Sequence, residues 1–250
     1  MAIPLGDYNP TRRRGVVTLV LIAINVGVFI FWQPWIGEFC EQSAFYAQWG
    51  AIPNEIIERE PLTQEELDTT VDPRCGVDAM PGKSVVLSVL VAMFLHGGWM
   101  HLLGNMLYLL VFGDNVEDRL GHGQYLLFYL VCGAVATVVF AAANPASTTT
   151  LVGASGAIAG VLGAYLIMYP TAMVRVYIPP FFFLPLPAVL VLGGWFLLQV
   201  FADNLAGQAG AGVAYLAHVA GFLAGMILAL ILGHRPQRPR LYDRRARRYG

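Results

Sequence analysis

Residues 120–174 read LGHGQYLLFYLVCGAVATVVFAAANPASTTTLVGASGAIAGVLGAYLIMYPTAMV, 55 consecutive positions without a single Asp, Glu, Lys or Arg. One membrane-crossing helix takes about 20 residues, so this stretch crosses more than once. The break falls at Asn144-Pro145-Ala146-Ser147-Thr148-Thr149-Thr150, where Asn-Pro ends one helix and the hydroxyls can cap the next. Two spans follow, about 122–142 and 154–170. The second opens on Gly153-Ala154-Ser155-Gly156.

Working outward, 84–113, 176–202 and 204–234 are equally free of acidic and basic side chains. His96-Gly97-Gly98 interrupts the first of these, giving a short helix outside the membrane or at its interface, a turn, and a span over about 100–116. Pro185 and Pro187 delay the helix of the second until about 186–202, with Phe181-Phe182-Phe183 at the interface. The third supplies a span at 212–232. Ahead of them all, residues 15–32 form 18 uncharged positions, too long for the usual 7–15 residue core of a signal peptide and followed by no A-x-A site, so a retained span is expected at 15–33. The expected fold is an all-α, polytopic membrane protein with a bundle of six transmembrane helices. Composition agrees. Of 250 residues 57% are hydrophobic and 12% charged, against about 25% charged in soluble domains, which leaves too little polar material to cover a water-facing surface.

Charge sorting sets the expected topology. Ten of the 15 basic residues lie at the two ends, Arg12 to Arg14 and seven arginines between 235 and 248, while residues 34–83 hold ten of the 16 acids against three basic residues. The positive-inside rule places both termini in the cytoplasm and the acidic segment outside, consistent with an even number of spans. The expected division is a cytoplasmic segment at 1–14, a six-span domain at 15–233 with an external loop at 34–99, and a basic cytoplasmic tail at 234–250. An arginine-rich tail that follows a span reads as an anchor to anionic lipid, not as a nucleic-acid binder. Cys40 and Cys75 share the external loop, where an oxidising compartment allows a disulfide and two free thiols are the equal alternative.

Reactive polar groups inside hydrocarbon are costly unless partnered. Three clusters occur: His96 followed by His101 and Asn105, the latter two on one helix face; Ser155 between Gly153 and Gly156; and His218 ahead of Gly221 and Gly225. Singly, each has a structural explanation, since Ser and His bond neighbouring helices and small-xxx-small patterns pack them. Together they contain a serine and an imidazole, the minimal activated nucleophile, with donors for an oxyanion. A metal carrier using His96, His101 and His218 lacks acidic or thiolate partners within the spans, and H-E-x-x-H is absent. Asp114 and Asp118 lie too near a helix end for an aspartyl intramembrane protease.

The ordered set His96-x4-His101-x3-Asn105, Gly153-x-Ser155-Gly156 and Ala217-His218-x2-Gly221-x3-Gly225 resembles the rhomboid intramembrane serine proteases. Val116-Glu117-Asp118-Arg119-Leu120-Gly121 and Gly194-Trp195-Phe196 support the resemblance, which spans roughly residues 15–232. It implies an endopeptidase that cuts other proteins in or near their transmembrane helices, working in the bilayer without metal or other cofactor and without nucleic acid. Ser155 would be the nucleophile and His218 the base and then the acid. His101, Asn105 and the Ser155 N–H would form the oxyanion hole; His96, Gly153 and Gly156 would be structural, and Trp195 a gate. Ala159 departs from relatives that carry an aromatic beneath the base, so support for His218 is expected from another helix. A non-catalytic relative that binds membrane clients is the alternative reading. Six spans with short tails lead to the expectation of a bacterial plasma membrane.

Overall fold

The computed structural model describes residues 3–180, 182–206 and 214–233. The chain is mostly helical. Six long helices, α1 (Val16–Phe31), α6 (Trp99–Leu120), α7 (His122–Ala143), α8 (Ser155–Met168), α9 (Ala188–Ala206) and α10 (Tyr215–Leu232), match the six apolar runs. Short helices α2 (Phe39–Trp49), α3 (Pro53–Glu58), α4 (Gln64–Thr70) and α5 (Val85–Ala92) build the segment between α1 and α6. By length and composition, α7 and α10 are long and apolar enough to cross a membrane; α1, α8 and Ala188–Phe201 of α9 are apolar but shorter. The exterior carries Leu19, Ile24, Leu103, Leu127, Leu190, Leu198, Ile227 and Ile231 in the open. An apolar exterior on this scale does not belong to a water-facing surface.

The all-α expectation requires a correction. Strands β1 (Ile3–Asp7), β2 (Met173–Ile178) and β3 (Phe182–Pro187) form an antiparallel sheet in the order β1-β2-β3. Residues 173–178 alternate and are rich in β-branched side chains, with Val174 and Val176 buried on one face, which suits a strand. Pro185 and Pro187 cannot donate to a ladder and therefore sit on an edge strand. Of the residues expected at an interface before α9, Phe182 and Phe183 thus belong to β3 and Phe181 lies outside the described residues, while Ile3–Asp7 is a pairing partner. The basic tail 234–250 lies outside the described residues.

Gly121 ends α6 and begins α7 at φ +83°, a left-handed setting that favours glycine and folds the two helices back on each other. The three residues before Leu120 tie neighbouring segments together. Glu117, 1% exposed, accepts from Val17 N and Thr18 N at 2.8 Å each and from Thr18 Oγ1 at 2.7 Å. It replaces the missing side-chain cap of α1, whose own N-cap is Gly15, and sets a negative charge at the positive end of that helix. Asp118 accepts from Arg12 N and Arg13 N, and Arg119 Nε donates to the Gly233 carbonyl at the end of α10.

Cys40 and Cys75 are joined in a disulfide with Cα atoms 5.0 Å apart. Beneath it, Ala47, Ile52, Leu62 and Leu67 make a small core of their own. Lys83 Nζ meets Glu55 Oε2 at 2.6 Å, both side chains 2% exposed, and also donates to the Ala47 carbonyl. Burial lowers the Lys83 pKa against the pull of Glu55. This subdomain is stitched to the polar turn ahead of α8: Ala51 and Leu151 exchange backbone bonds, and Asn54 N donates to Ser147 O.

Candidate active site

Helix α8 is the hub of the bundle. Its residues from Ala157 to Tyr165 are all buried, and it packs against α6, α7, α9 and α10. Contact with α10 is backbone to backbone. A Cβ at Gly221 would stand 2.1 Å from the Gly156 carbonyl oxygen, one at Gly225 1.9 Å from that of Gly160, and one at Gly163 2.1 Å from that of Phe222. No side chain fits between such surfaces, so glycine alone permits the crossing. A Cβ at Gly156 would also meet Ala136 of α7 at 2.6 Å.

This seam brings the first residue of α8 to the first turn of α10. Ser155 Oγ and His218 Nε2 are 2.8 Å apart, across 63 residues of chain. The other ring nitrogen, Nδ1, is 2.8 Å from Gln199 Oε1 of α9. Gln199 is buried, and its amide oxygen is an acceptor suited to an Nδ1–H, which leaves Nε2 free to accept from the serine hydroxyl. Trp195, one turn earlier on α9, lies tilted over the His218 ring with centroids 6.1 Å apart; Tyr215 meets the ring edge-on at 6.4 Å.

His101 approaches from α6. Its Nδ1 accepts from Gly97 N at 3.3 Å, so the proton sits on Nε2. That edge of the ring lies over Gly153: a Cβ there would be 2.7 Å from His101 Cε1, 2.8 Å from Nε2 and 3.6 Å from Ser155 Oγ. Gly153 is also at φ +126°, so backbone conformation and the close approach of His101 both call for glycine. Asn105 is buried one turn further along α6, and its Nδ2 has no hydrogen-bond partner. Leaving such a donor buried and unpaired costs about 1–3 kcal/mol, which an anionic oxygen beside it would offset. The N-terminus of α8 contributes the positive end of its dipole at Ser155 itself.

Of the residues singled out in the sequence, Ser155, His218, His101 and Gly153 form one cluster, Asn105 stands a turn from His101, and Gly156 belongs to the seam. His96 stands behind His101, ring centroids 5.1 Å apart, fully buried with neither ring nitrogen bonded. Its backbone is clamped by Gln33, which accepts from His96 N and donates to His96 O. Burial, then the neighbouring His101, pushes the His96 pKa down to about 3, so the ring is a neutral packing element. Trp195 faces the His218 ring and touches Tyr108 of α6 and Phe222 of α10. Among the described residues no three of His, Cys, Asp and Glu converge as metal ligands. Gln199 was not foreseen. Its signal was available, since it is an amide in an apolar run four positions after Trp195.

The family model of the Rhomboid domain matches residues 83–235, which include every member of this cluster. The chain belongs to the rhomboid family. It is 34% identical over 146 residues to RHOMBOID-like protein 5 of Arabidopsis thaliana, covering 58% of this chain and 43% of that protein. RHOMBOID-like protein 1 of the same plant is 32% identical over 237 residues, 94% of this chain and 56% of that protein. Rhomboid-like protease 5 of Toxoplasma gondii is 34% identical over 139 residues, 56% of this chain and 15% of that protein. The chain thus spans about half the length, or less, of these curated relatives. Rhomboids are integral membrane proteins, and these relatives come from a plant and a parasite, so they lend the expected bacterial membrane no support.

The two side-chain donors near Ser155 can each be removed singly. If Ser155 attacks a carbonyl beside them, His101→Ala and Asn105→Ala are each expected to lower kcat by about 10² to 10³ with KM little changed, the usual loss of one oxyanion donor. Steady-state cleavage of a fluorogenic transmembrane peptide measures both. A loss confined to KM would assign these residues to substrate binding instead.

Proposed function

We propose that this rhomboid is an intramembrane serine endopeptidase that hydrolyses peptide bonds in or near the transmembrane helices of other membrane proteins. The observation that carries the reading is the 2.8 Å contact between Ser155 Oγ and His218 Nε2 at the N-terminus of a buried helix. Ser155 attacks the substrate carbonyl while His218 takes its proton. The oxygen of the tetrahedral intermediate is held by His101 Nε2–H, Asn105 Nδ2 and the Ser155 N–H. His218 returns the proton to the leaving amine, and the acyl-enzyme is then opened by water activated in the same way. The substrate helix must unwind locally to offer a carbonyl, which favours small or helix-weakening residues at the cut. Trp195, spanning from His218 to Tyr108, is the gate on the side between α6 and α9.

Helices α1, α6, α7, α8, α9 and α10 are the six spans of a domain at 15–233, with 1–14 and 234–250 as flanking segments on one side of the membrane. At 14 residues α8 is about 21 Å long, short of an ordinary hydrocarbon core of about 30 Å. The polar turn 144–154 therefore dips inward, carrying Ser155 below the surface and leaving a wet approach for the hydrolytic water. The disulfide-closed, acidic segment between α1 and α6 faces the oxidising side and both termini face the cytoplasm. A tag after residue 250 is expected to survive external protease in right-side-out vesicles. Its cleavage would invert the topology.

Covalent labelling by a fluorophosphonate probe tests the chemistry. The wild type should be labelled and Ser155→Ala should not. A wild type that reacts no faster than the alanine variant would favour a non-catalytic rhomboid that holds membrane clients.

A further inference from the structure

We propose that Gln199 is a positioning residue of the dyad, its amide oxygen accepting the Nδ1–H of His218 and holding the imidazole in the tautomer whose Nε2 can take the Ser155 proton. The inference rests on the dyad reading. It goes further by assigning a third member, from a helix that supplies neither of the two, with an uncharged side chain where serine hydrolases usually place a carboxylate.

Three observations carry it. The contact is short, 2.8 Å from Nδ1 to Oε1, and Gln199 is 7% exposed, so water has little access with which to compete. The opposite ring nitrogen already meets Ser155 Oγ at 2.8 Å. An imidazole whose Nε2 must accept carries its proton on Nδ1, and the group facing Nδ1 must then accept; of the two polar ends of a glutamine amide only the oxygen does so. Finally, Ala159, one turn along α8 from Ser155, carries only a methyl group. Ring orientation must come from elsewhere, and α9 supplies it twice from one face, Trp195 lying against the ring and Gln199 on its edge four residues later.

Among the described side chains, the ionisable groups set against His218 are His101 from α6, Ser155 from α8 and Tyr215 on its own helix. None of these is a carboxylate. A neutral acceptor fixes the tautomer without stabilising the imidazolium as an anion would, so replacing the amide by a carboxylate should move the titration of the base and not only the rate.

The test compares wild type with Gln199→Leu, Gln199→Asn and Gln199→Glu in liposomes. Leu removes the acceptor at similar volume, Asn withdraws it by one methylene, and Glu keeps an acceptor in place. Leu and Asn are expected to lose about 10- to 100-fold in kcat with KM within about twofold, less than the roughly 10⁴ that accompanies a wrong tautomer in a full triad. Glu should restore activity to within about tenfold of wild type and shift the acidic limb of the kcat/KM profile upward by about one pH unit, as a neighbouring anion favours the charged imidazole. Nitrogen-15 spectra of His218 provide a readout independent of turnover, with one Nδ1–H tautomer in wild type and a mixture in Gln199→Leu. A mixed tautomer already in wild type, or an acidic limb that does not move in Gln199→Glu, would overturn the proposal while leaving the dyad intact. Activity surviving in Ser155→Ala would instead remove the protease reading, whatever the tautomer.

Discussion

Ser155→Ala is expected to abolish cleavage of a transmembrane substrate, by at least about 10⁴ in kcat, and His218→Ala to do the same. The double variant should be no worse than either. The two groups share one proton across 2.8 Å, and residues that act as a unit lose their whole effect when either is removed. Folding should hardly respond. Truncating Ser155 removes a single hydrogen bond, worth about 1 kcal/mol net, from a helix whose seat against α10 depends on glycine contacts further along. Melting curves in detergent should therefore move by no more than a few degrees while a fluorogenic peptide goes uncut. EDTA should change neither quantity. Turnover in Ser155→Ala within tenfold of wild type would sink the protease reading, and loss of activity on chelation would direct attention to the histidines as ligands.

How much of this was legible beforehand depended on what each feature leans upon. The six apolar runs announce themselves because a long helix satisfies its own backbone and an apolar one needs only a length of uncharged side chains. Ser155 and His218 stood out for the related reason that hydrocarbon makes every reactive group conspicuous, and their glycine neighbours hinted at close approach. The sheet was hidden because β2 finds a partner in β1, some 170 positions earlier in the chain; alternation over six residues between two apolar stretches does not by itself announce that partner. Glu117 was quoted only within a motif. Its task of capping α1 depends on an amide about a hundred residues away, beyond the reach of local pattern. Gln199 was missed for a different reason. An amide in a span is ordinarily a packing residue, and only the rotational setting of α9, which turns Trp195 and Gln199 together toward α10, gives it an imidazole to bond. The sequence therefore offered the candidate reacting groups, and the structure was needed to find the side chains set against them.

The seam between α8 and α10 makes the second large prediction. Gly225→Ala adds one carbon whose position would lie 1.9 Å from the Gly160 carbonyl oxygen and 2.5 Å from its carbonyl carbon. Both are backbone atoms, with no rotamer through which to withdraw, so the helices must separate. Overpacking a core ordinarily costs about 1–3 kcal/mol, and here the upper end or more is expected because a whole helix must move. For a chain of this size each kcal/mol is about 2–4 °C, which sets a fall of at least about 6 °C in Tm. The displacement acts on chemistry as well. Gly225 lies two turns along α10 from His218, so parting the helices lengthens the Ser155 to His218 contact, and fluorophosphonate labelling should slow at temperatures where the variant is still folded. Gly27→Ala is the matched control. Its Cβ would meet nothing within 4 Å, and alanine in a helix interior is favoured over glycine by about 1 kcal/mol, so its Tm should hold or rise and its labelling rate should not change. If Gly225→Ala melts with wild type and labels as fast, the glycines are incidental to the crossing and something other than backbone contact brings the serine to the imidazole.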